Sequence, residues 1–133
     1  MSATFLPYGR QAIDESDIEA VAEVLRGDWL TTGPAVDSFD AAFAEAVGAR
    51  HSVSCSNGTA ALHLALAALG VKEGDTCVVP AITFMATANA ARYCGAEVAF
   101  ADVDPDTGLM TPETLDAALA QGSSPAHMHV HAP

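Results

Sequence analysis

A short segment near the middle of the sequence combines the residue types that bind anions. It reads Ser-Cys-Ser-Asn-Gly-Thr-Ala-Ala-Leu over residues 54–62, so that a β-prone run passes through a glycine turn into a helix. At such a junction the free N–H groups of the first helical turn point outward, and the helix dipole favours negative charge. Gly58 lets the backbone approach a ligand closely, and the Thr59 hydroxyl adds a donor. The segment predicts a phosphate site, with a plain Asn-Gly turn as the alternative.

A second candidate residue, Phe84, follows the next predicted strand along the chain. The segment 80–89 begins where that strand ends, at the edge where open α/β sheets bind their ligands. Phe84 could stack there on a flat ring, or it could pack in the core at the start of a helix. Taken alone, the residue favours the core. The neighbouring motifs favour stacking.

The elements that position these residues alternate between helices and strands. Ser16, with Glu19 as the acid of a capping box, opens the first helix, and a polar loop at 28–34 separates it from the second. Strands separated by helices of this length indicate βαβ units with right-handed crossovers. We therefore predict an α/β fold with a mostly parallel sheet and helices on both faces. The predicted helices cover 16–27, 36–48, 59–69, 84–93 and 112–120, and the predicted strands cover 51–56, 76–79 and 97–101.

This pattern divides the chain into three parts. Residues 1–50 form an N-terminal helical segment with the polar loop, residues 51–121 begin the α/β domain, and residues 122–133 form an irregular or truncated tail. The tail carries three alternating histidines, at 127, 129 and 131, where a further apolar strand is expected. They could ligate a metal, but no acidic or cysteine partner lies nearby in sequence, so a frayed end is favoured.

Composition excludes several classes of function. The net charge of −12 includes only five basic residues, and these are scattered, so nucleic acid is not expected as a partner. No apolar stretch approaches the roughly 20 residues of a membrane span, and the N-terminus lacks the pattern of a secretory signal. We predict a soluble cytoplasmic protein that binds no membrane. The three cysteines, Cys55, Cys77 and Cys94, are predicted to be buried and reduced.

Four motifs in order make the sequence resemble a known family. They are Gly-Asp-Trp-Leu-Thr-Thr-Gly-Pro at 27–34, Ser-Asn-Gly-Thr-Ala-Ala-Leu at 56–62, Ile-Thr-Phe-Met-Ala-Thr-Ala-Asn at 82–89 and Phe-Ala-Asp-Val-Asp at 100–104. Together they resemble the DegT/DnrJ/EryC1/StrS sugar aminotransferases, which use pyridoxal 5'-phosphate (PLP). The opening Leu-Pro-Tyr-Gly-Arg-Gln at 6–11 resembles most the enzymes that aminate a UDP-linked 4-keto sugar on the route to pseudaminic acid. The resemblance implies the N-terminal third of a fold-type I PLP-dependent transferase, as part of its large domain.

The resemblance also implies which residues bind the cofactor. Thr59 and Ala60 would hold the PLP phosphate, and Phe84 would lie against the pyridine ring. Gly58 would line the substrate side of the cofactor. No catalytic residue and no metal ligand is implied within the chain.

A second group of residues is implied to contact the nucleotide sugar, near the partner subunit of the family's homodimer. These positions are Tyr8 and, in the polar loop, Asp28, Trp29, Leu30 and Thr31. The family's amino donor is expected to be glutamate.

The chain's one lysine, Lys72, lies in a predicted turn and matches no family lysine. Catalysis with PLP requires a lysine that forms a Schiff base and transfers the proton. By the resemblance, that lysine and the aspartate that pairs with the pyridinium nitrogen lie beyond residue 133. We therefore expect the chain to be inactive by itself, and to self-associate through unpaired strand edges and uncovered apolar faces.

Three interpretations stay open. The chain is part of a 4-keto-sugar aminotransferase, or part of a PLP-dependent sugar dehydratase of the same family in which a histidine replaces the lysine. Alternatively, it is a non-catalytic module that binds phosphate or PLP, or an interaction module.

Two other patterns are weaker. Asp102, Asp104 and Asp106 with Glu113 have the spacing of a calcium loop, but Thr107 stands where an EF-hand has glycine and a strand precedes the run. A solvated acidic turn is the better interpretation. Cys55 with Ser56 and His63 suggests a nucleophile and a base, but nothing in the sequence arranges an oxyanion hole around them.

Overall fold

The computed structural model describes residues 9–121 and the backbone of 128–130. The chain divides into two compact units, Met1–Ser54 and Cys55–Pro133. Tyr8, His127, His131 and the side chain of His129 lie outside the described residues. The predictions made for them therefore stay predictions.

The first unit contains two helices, of which α1 spans Glu15–Arg26. It begins after Asp14, whose carboxylate accepts hydrogen bonds from the N–H groups of Ser16 at 2.8 Å and Asp17 at 3.3 Å. Asp17 completes a capping box by accepting the N–H of Asp14 at 3.0 Å. The predicted capping box of Ser16 with Glu19 is wrong, because the upstream carboxylate of Asp14 reaches the free N–H groups first.

The second helix, α2, spans Pro34–Val47, close to the prediction. Pro34 suits its first position, since the N–H that proline lacks has no partner within a helix there. Gly48 ends the helix with a φ of 68°, in the left-handed region that glycine tolerates. The apolar stripe of α2 stays exposed, with Phe39 and Phe43 stacked at a centroid distance of 5.9 Å.

The second unit alternates helices with the strands of a parallel sheet. The strand order is β2-β1-β3, and β1 pairs in parallel with both neighbours. This confirms the α/β class and the parallel sheet. The elements are α3 (Gly58–Ala68), β1 (Thr76–Pro80), α4 (Met85–Tyr93), β2 (Glu97–Ala101), α5 (Pro112–Gln121) and β3 (Met128–Val130).

The core of this unit lies where α3 and α4 meet the sheet. Cys77 of β1 is in register with Val98 of β2, and both pack in one cluster with Leu66 of α3 and the small residues Ala90 and Ala91 of α4. Alanine at these positions lets the α4 backbone approach the sheet closely. The helix α5 packs on β2.

Three local predictions require correction. Residues 51–55 form no strand, because a β-prone run needs a partner strand to form a ladder and no described strand pairs with it. Cys55, which lies in this segment, is exposed, whereas Cys77 is buried and Cys94 is half-buried. Within the range 122–133, where the sequence predicts an irregular tail, Met128–Val130 forms the short strand β3.

None of the helices described is long and apolar enough to cross a membrane. Among the same residues, no group of three or more histidine, cysteine, aspartate or glutamate side chains is placed to hold a metal ion.

Candidate functional site

The predicted phosphate site lies at the start of α3, where Asn57 is the N-cap. Asn57 has an extended backbone, and its side-chain oxygen accepts the N–H of Ala60 at 2.9 Å. The carbonyl of Asn57 accepts the N–H of Ala61 at 3.1 Å. Asparagine caps helices in this way because its short side chain satisfies one of the free N–H groups of the first turn. The amide of Ala60, one of the two residues predicted to hold phosphate, is therefore occupied by the cap.

The amides of Gly58 and Thr59 remain free for a ligand. Within the described part of the chain neither N–H donates a hydrogen bond. Gly58 is exposed and Thr59 is half-buried, so both can be reached from solvent. The first turn of α3 carries no acidic side chain, so that no charge on the helix itself opposes an anion there.

Gly58 itself leaves open space beside the turn. A Cβ atom at this position would meet no atom within 4 Å, and Gly58 is not among the residues with a positive φ. Neither packing nor backbone conformation within the chain therefore requires glycine. The space that the missing side chain leaves suits close approach of a ligand, as the sequence predicts.

Two neighbouring side chains support the cap. The amide group of Asn57 donates to the hydroxyl of Ser56 at 3.2 Å. The thiol of Cys55 donates to the carbonyl of Asn57 at 3.3 Å. These contacts orient Asn57 so that its oxygen faces the helix.

Phe84 precedes α4 and serves as its N-cap residue, with no side-chain hydrogen bond to the helix. Its side chain is 78% exposed, so the alternative of an aromatic packed in the core is wrong. The helices α3 and α4 pack on each other, and each leads into a strand of the same parallel sheet. This topology places both helix N-termini at the carboxyl edge of the sheet, where α/β folds bind ligands. The ring of Phe84 is free to stack on a ligand at that edge.

Four of the five described residues predicted on the substrate side form the turn between α1 and α2, in the first unit. Asp28, Trp29, Leu30 and Thr31 are all exposed, with Trp29 at 64% and Leu30 at 65%. Large apolar side chains that stay this exposed are candidates for ligand contact. The turn presents them together with one carboxylate.

The acidic run after β2 forms a hydrogen-bonded turn. One carboxylate oxygen of Asp104 accepts the N–H groups of Asp106 at 3.1 Å and Thr107 at 2.9 Å, and the hydroxyl of Thr107 at 3.0 Å. These hydrogen bonds, led by that from the Thr107 amide, lower the pKa of Asp104. The turn's own donors thus satisfy this oxygen, which supports the predicted solvated turn.

The remaining candidates for chemistry have structural roles. His63 contacts the ring of Tyr93 at a centroid distance of 5.4 Å, between α3 and α4, while the Cys55 thiol is used by the cap. Lys72 lies exposed in the turn before β1, with its N–H bonded to the carboxylate of Asp75 at 3.0 Å. The structure gives no support to a nucleophile and base at Cys55 and His63.

Sequence reasoning missed two residues, one in each unit. Asn57 carries an N-cap signal, since asparagine directly before an apolar helix is a preferred cap, and this signal was readable. Gly33 carries no comparable sequence signal, because what distinguishes it is a close contact with Trp29 across the turn.

Comparison with known proteins gives a consistent result. Residues 11–132 match the model of the DegT/DnrJ/EryC1/StrS aminotransferase family. The chain is 43% identical over 131 residues to the UDP-4-amino-4-deoxy-L-arabinose--oxoglutarate aminotransferase of Shewanella sediminis (strain HAW-EB3), covering 98% of this chain and 34% of that protein.

Solved structures agree in fold. The Streptococcus pneumoniae protein Spr1654, described as a sugar aminotransferase and solved in its PLP form, superposes with a TM-score of 0.77 at 32% identity, over 85% of this chain and 29% of that one. The E. coli GDP-4-keto-6-deoxy-D-mannose-3-dehydratase with bound hydrated PLP also gives 0.77, at 28% identity, over 89% of this chain and 32% of that one. The chain thus spans about a third of the length of these relatives.

Proposed function

The chain belongs to the DegT/DnrJ/EryC1/StrS aminotransferase family, and on this basis we propose that it forms the phosphate-binding and substrate-loop part of a PLP-dependent enzyme that aminates a UDP-linked 4-keto sugar. The observation that carries the proposal is the start of α3. There two free amides, a hydroxyl and an unfilled space beside Gly58 coincide with the segment that the family resemblance assigns to the cofactor phosphate.

The residues at this turn fit the phosphate of PLP. The N–H groups of Gly58 and Thr59 and the hydroxyl of Thr59 offer three donors, and the helix dipole adds favourable charge. Phe84 offers an exposed ring for the pyridine ring to stack on. Bound PLP supplies the electron-withdrawing ring chemistry that moves an amino group. The contribution of these residues is to bind and orient it.

We do not assign Schiff-base formation with the cofactor to Lys72. This side chain is exposed in a turn between α3 and β1, whereas a Schiff-base lysine must lie against the cofactor. We therefore propose that the 133 residues bind but do not catalyse. A homodimeric assembly and a cytoplasmic location are further expectations drawn from the family resemblance.

The proposed substrate class draws on the Shewanella relative, whose name specifies a UDP-linked 4-amino sugar and oxoglutarate. Removing the amine from a 4-amino sugar leaves a 4-keto sugar, so this relative favours a UDP-linked 4-keto sugar with glutamate as the donor. The name of this relative does not favour the route to pseudaminic acid over other UDP-linked 4-keto sugars.

A second candidate function is sugar dehydration. It is favoured by the match to the E. coli 3-dehydratase, which has the same TM-score as the aminotransferase match. The third interpretation, a module that binds PLP without catalysis, shares the first part of the test below.

The proposal is tested first by binding. PLP is titrated into the purified chain and followed by ³¹P NMR, with Thr59→Val and Gly58→Leu as variants that remove the hydroxyl and fill the open space. We expect saturable binding that each variant weakens at least about tenfold, which corresponds to about 1.4 kcal/mol. Thr31→Val, a matched change in the first unit, should leave PLP binding unchanged. Absence of saturable binding by the wild-type chain would overturn the proposed phosphate site.

Catalysis is tested with the same chain. It is incubated with PLP, glutamate and a UDP-linked 4-keto sugar, and products are read by mass spectrometry. We expect neither an amino sugar nor a 3-deoxy sugar. Formation of the amino sugar would show that the chain is catalytic after all, and loss of the 3-hydroxyl would favour the dehydratase.

A further inference from the structure

Gly33 is buried against Trp29 in the turn between α1 and α2. A Cβ atom built on Gly33 would lie 2.6 Å from the Cβ of Trp29 and 3.4 Å from its Cγ. Carbon atoms that are not bonded do not approach this closely, since they pack at about 3.5–4.0 Å. Any other residue at position 33 must therefore push Trp29 away by roughly 1 Å.

The contact, and not the backbone, is what requires glycine here. Gly33 has a φ of −92°, which any residue can adopt. The atom in its way is the stem of the indole side chain, which cannot rotate aside as the far end of a flexible side chain can. Thr32, next to it, has a φ of 46°, an uncommon conformation for a β-branched residue. The absence of a side chain at Gly33 thus allows the stem of Trp29 to pack against this turn.

Trp29 nevertheless presents its indole to solvent. Its side chain is 64% exposed although its stem is tightly packed, and the adjacent Leu30 is equally exposed. An indole face is a good surface for stacking on another flat or apolar ring. Asp28, exposed in the same turn, can accept hydrogen bonds from hydroxyl or N–H groups.

We propose that Gly33 is a positioning residue for Trp29, holding the indole face outward so that a ring of the nucleotide sugar stacks on it. This inference rests on the proposed function, from which it takes the class of ligand. Gly33 itself does not touch the ligand. It acts through the side chain that it allows to pack.

The test uses the fact that Trp29 is the one tryptophan of the sequence. Tryptophan fluorescence of the 133-residue chain therefore reports on this turn alone. The variant is Gly33→Ala, and the matched control is Gly9→Ala, where an added Cβ meets no atom within 4 Å. We expect Gly33→Ala to shift the emission maximum and change acrylamide quenching, with the helical signal in far-UV circular dichroism retained. The control should match the wild type.

Ligand binding is then measured in two independent ways. UDP-glucose and UDP are titrated against Trp29 fluorescence, and the same ligands are measured by equilibrium dialysis. We expect UDP-glucose to quench Trp29 and to bind at least about tenfold more weakly to Gly33→Ala. Quenching by both ligands would assign the contact to the nucleobase, and quenching by UDP-glucose but not by UDP would assign it to the sugar; either supports the proposal.

A double-mutant comparison guards against a variant that merely folds poorly. Trp29→Gly removes the Cβ that an alanine at 33 would meet, so Gly33→Ala should lower the melting temperature in the Trp29 chain but not in the Trp29→Gly chain. Equal effects in both backgrounds would overturn the contact. Dialysis binding without quenching, or with equal affinity in Gly33→Ala, would overturn the inference and leave the proposed function standing. No binding of either ligand would contradict the proposed substrate class, and the inference with it.

Discussion

The cap at the start of α3 allows helix stability to be separated from phosphate binding. Asn57 accepts the N–H of Ala60 at 2.9 Å, and aspartate caps a helix about as well as asparagine. Asn57→Asp should therefore keep α3 intact, and its charge at the N-terminus should add roughly 0.3–1 kcal/mol of stability. The same charge lies beside the amides of Gly58 and Thr59, where the phosphate is proposed to bind. Binding should fall while stability does not.

The size of the loss follows from Coulomb's law. A carboxylate about 4 Å from a phosphate oxygen costs about 1 kcal/mol per unit charge even at the dielectric constant of water. A phosphate monoester carries about −1.5 to −2 charges near neutral pH. The penalty is thus about 2 kcal/mol, or roughly a 30-fold weaker affinity. It should shrink as salt screens the charges.

The assay is PLP titration of wild type, Asn57→Asp and Asn57→Ser by ³¹P NMR, with melting followed by circular dichroism. Asn57→Ser retains a neutral cap and should bind as the wild type does. Asn57→Asp should melt at the same temperature or higher and bind about 30-fold more weakly. Equal affinity in the aspartate variant would refute the placement of the phosphate at this helix.

Three further predictions concern other parts of the chain. Hydrogen bonds, first that from the Ser16 hydroxyl, lower the pKa of Asp14 in the folded chain. The stability that Asp14 adds to α1 is therefore fully present above the pKa of Asp14 in the unfolded chain, and it is lost as the pH falls through the folded pKa. Helix content followed by circular dichroism should therefore drop below about pH 4, and less so in Asp14→Asn; a flat profile in both chains would contradict this. The pKa of the Cys77 thiol is raised by burial and then by the charges of Cys94 and Asp75. Iodoacetamide should therefore label exposed Cys55 first and Cys77 only on unfolding. Early labelling of Cys77 would be inconsistent with its burial. Phe39 lies exposed on α2 beside Phe43. Sedimentation velocity should therefore show concentration-dependent association of the wild-type chain, and Phe39→Glu should reduce it. A monodisperse wild-type monomer would contradict the predicted self-association.

The helices and strands of the second unit were largely predictable because their signals are local. Glu97–Ala101 has the predicted bounds, and Pro112 and Met85 begin their helices at or next to the predicted residue. Each is set by its own periodicity and by proline, glycine or cap residues at its ends. The segment 51–55 shows the limit, since its β propensity is real but strand formation depends on a partner that its sequence does not specify.

The candidate site was predictable in place but not in detail. The phosphate turn could be found from the Asn-Gly-Thr sequence, because strand, glycine and helix start are adjacent in the chain. The sequence could not show which amides stay free, because the side chain of Asn57 accepts the N–H of Ala60. The exposure of Phe84 was likewise undetermined, because the same residue type suits a core or a ligand surface.

The most direct test of the account is an ¹H–¹⁵N correlation spectrum of the chain titrated with PLP. The amides of Gly58 and Thr59 should shift most, because they are the free donors of the first turn of α3. The amide of Ala60 should shift less, since it donates to Asn57. Shifts centred on another part of the chain, or none at saturating PLP, would contradict the proposal that this turn binds the cofactor phosphate.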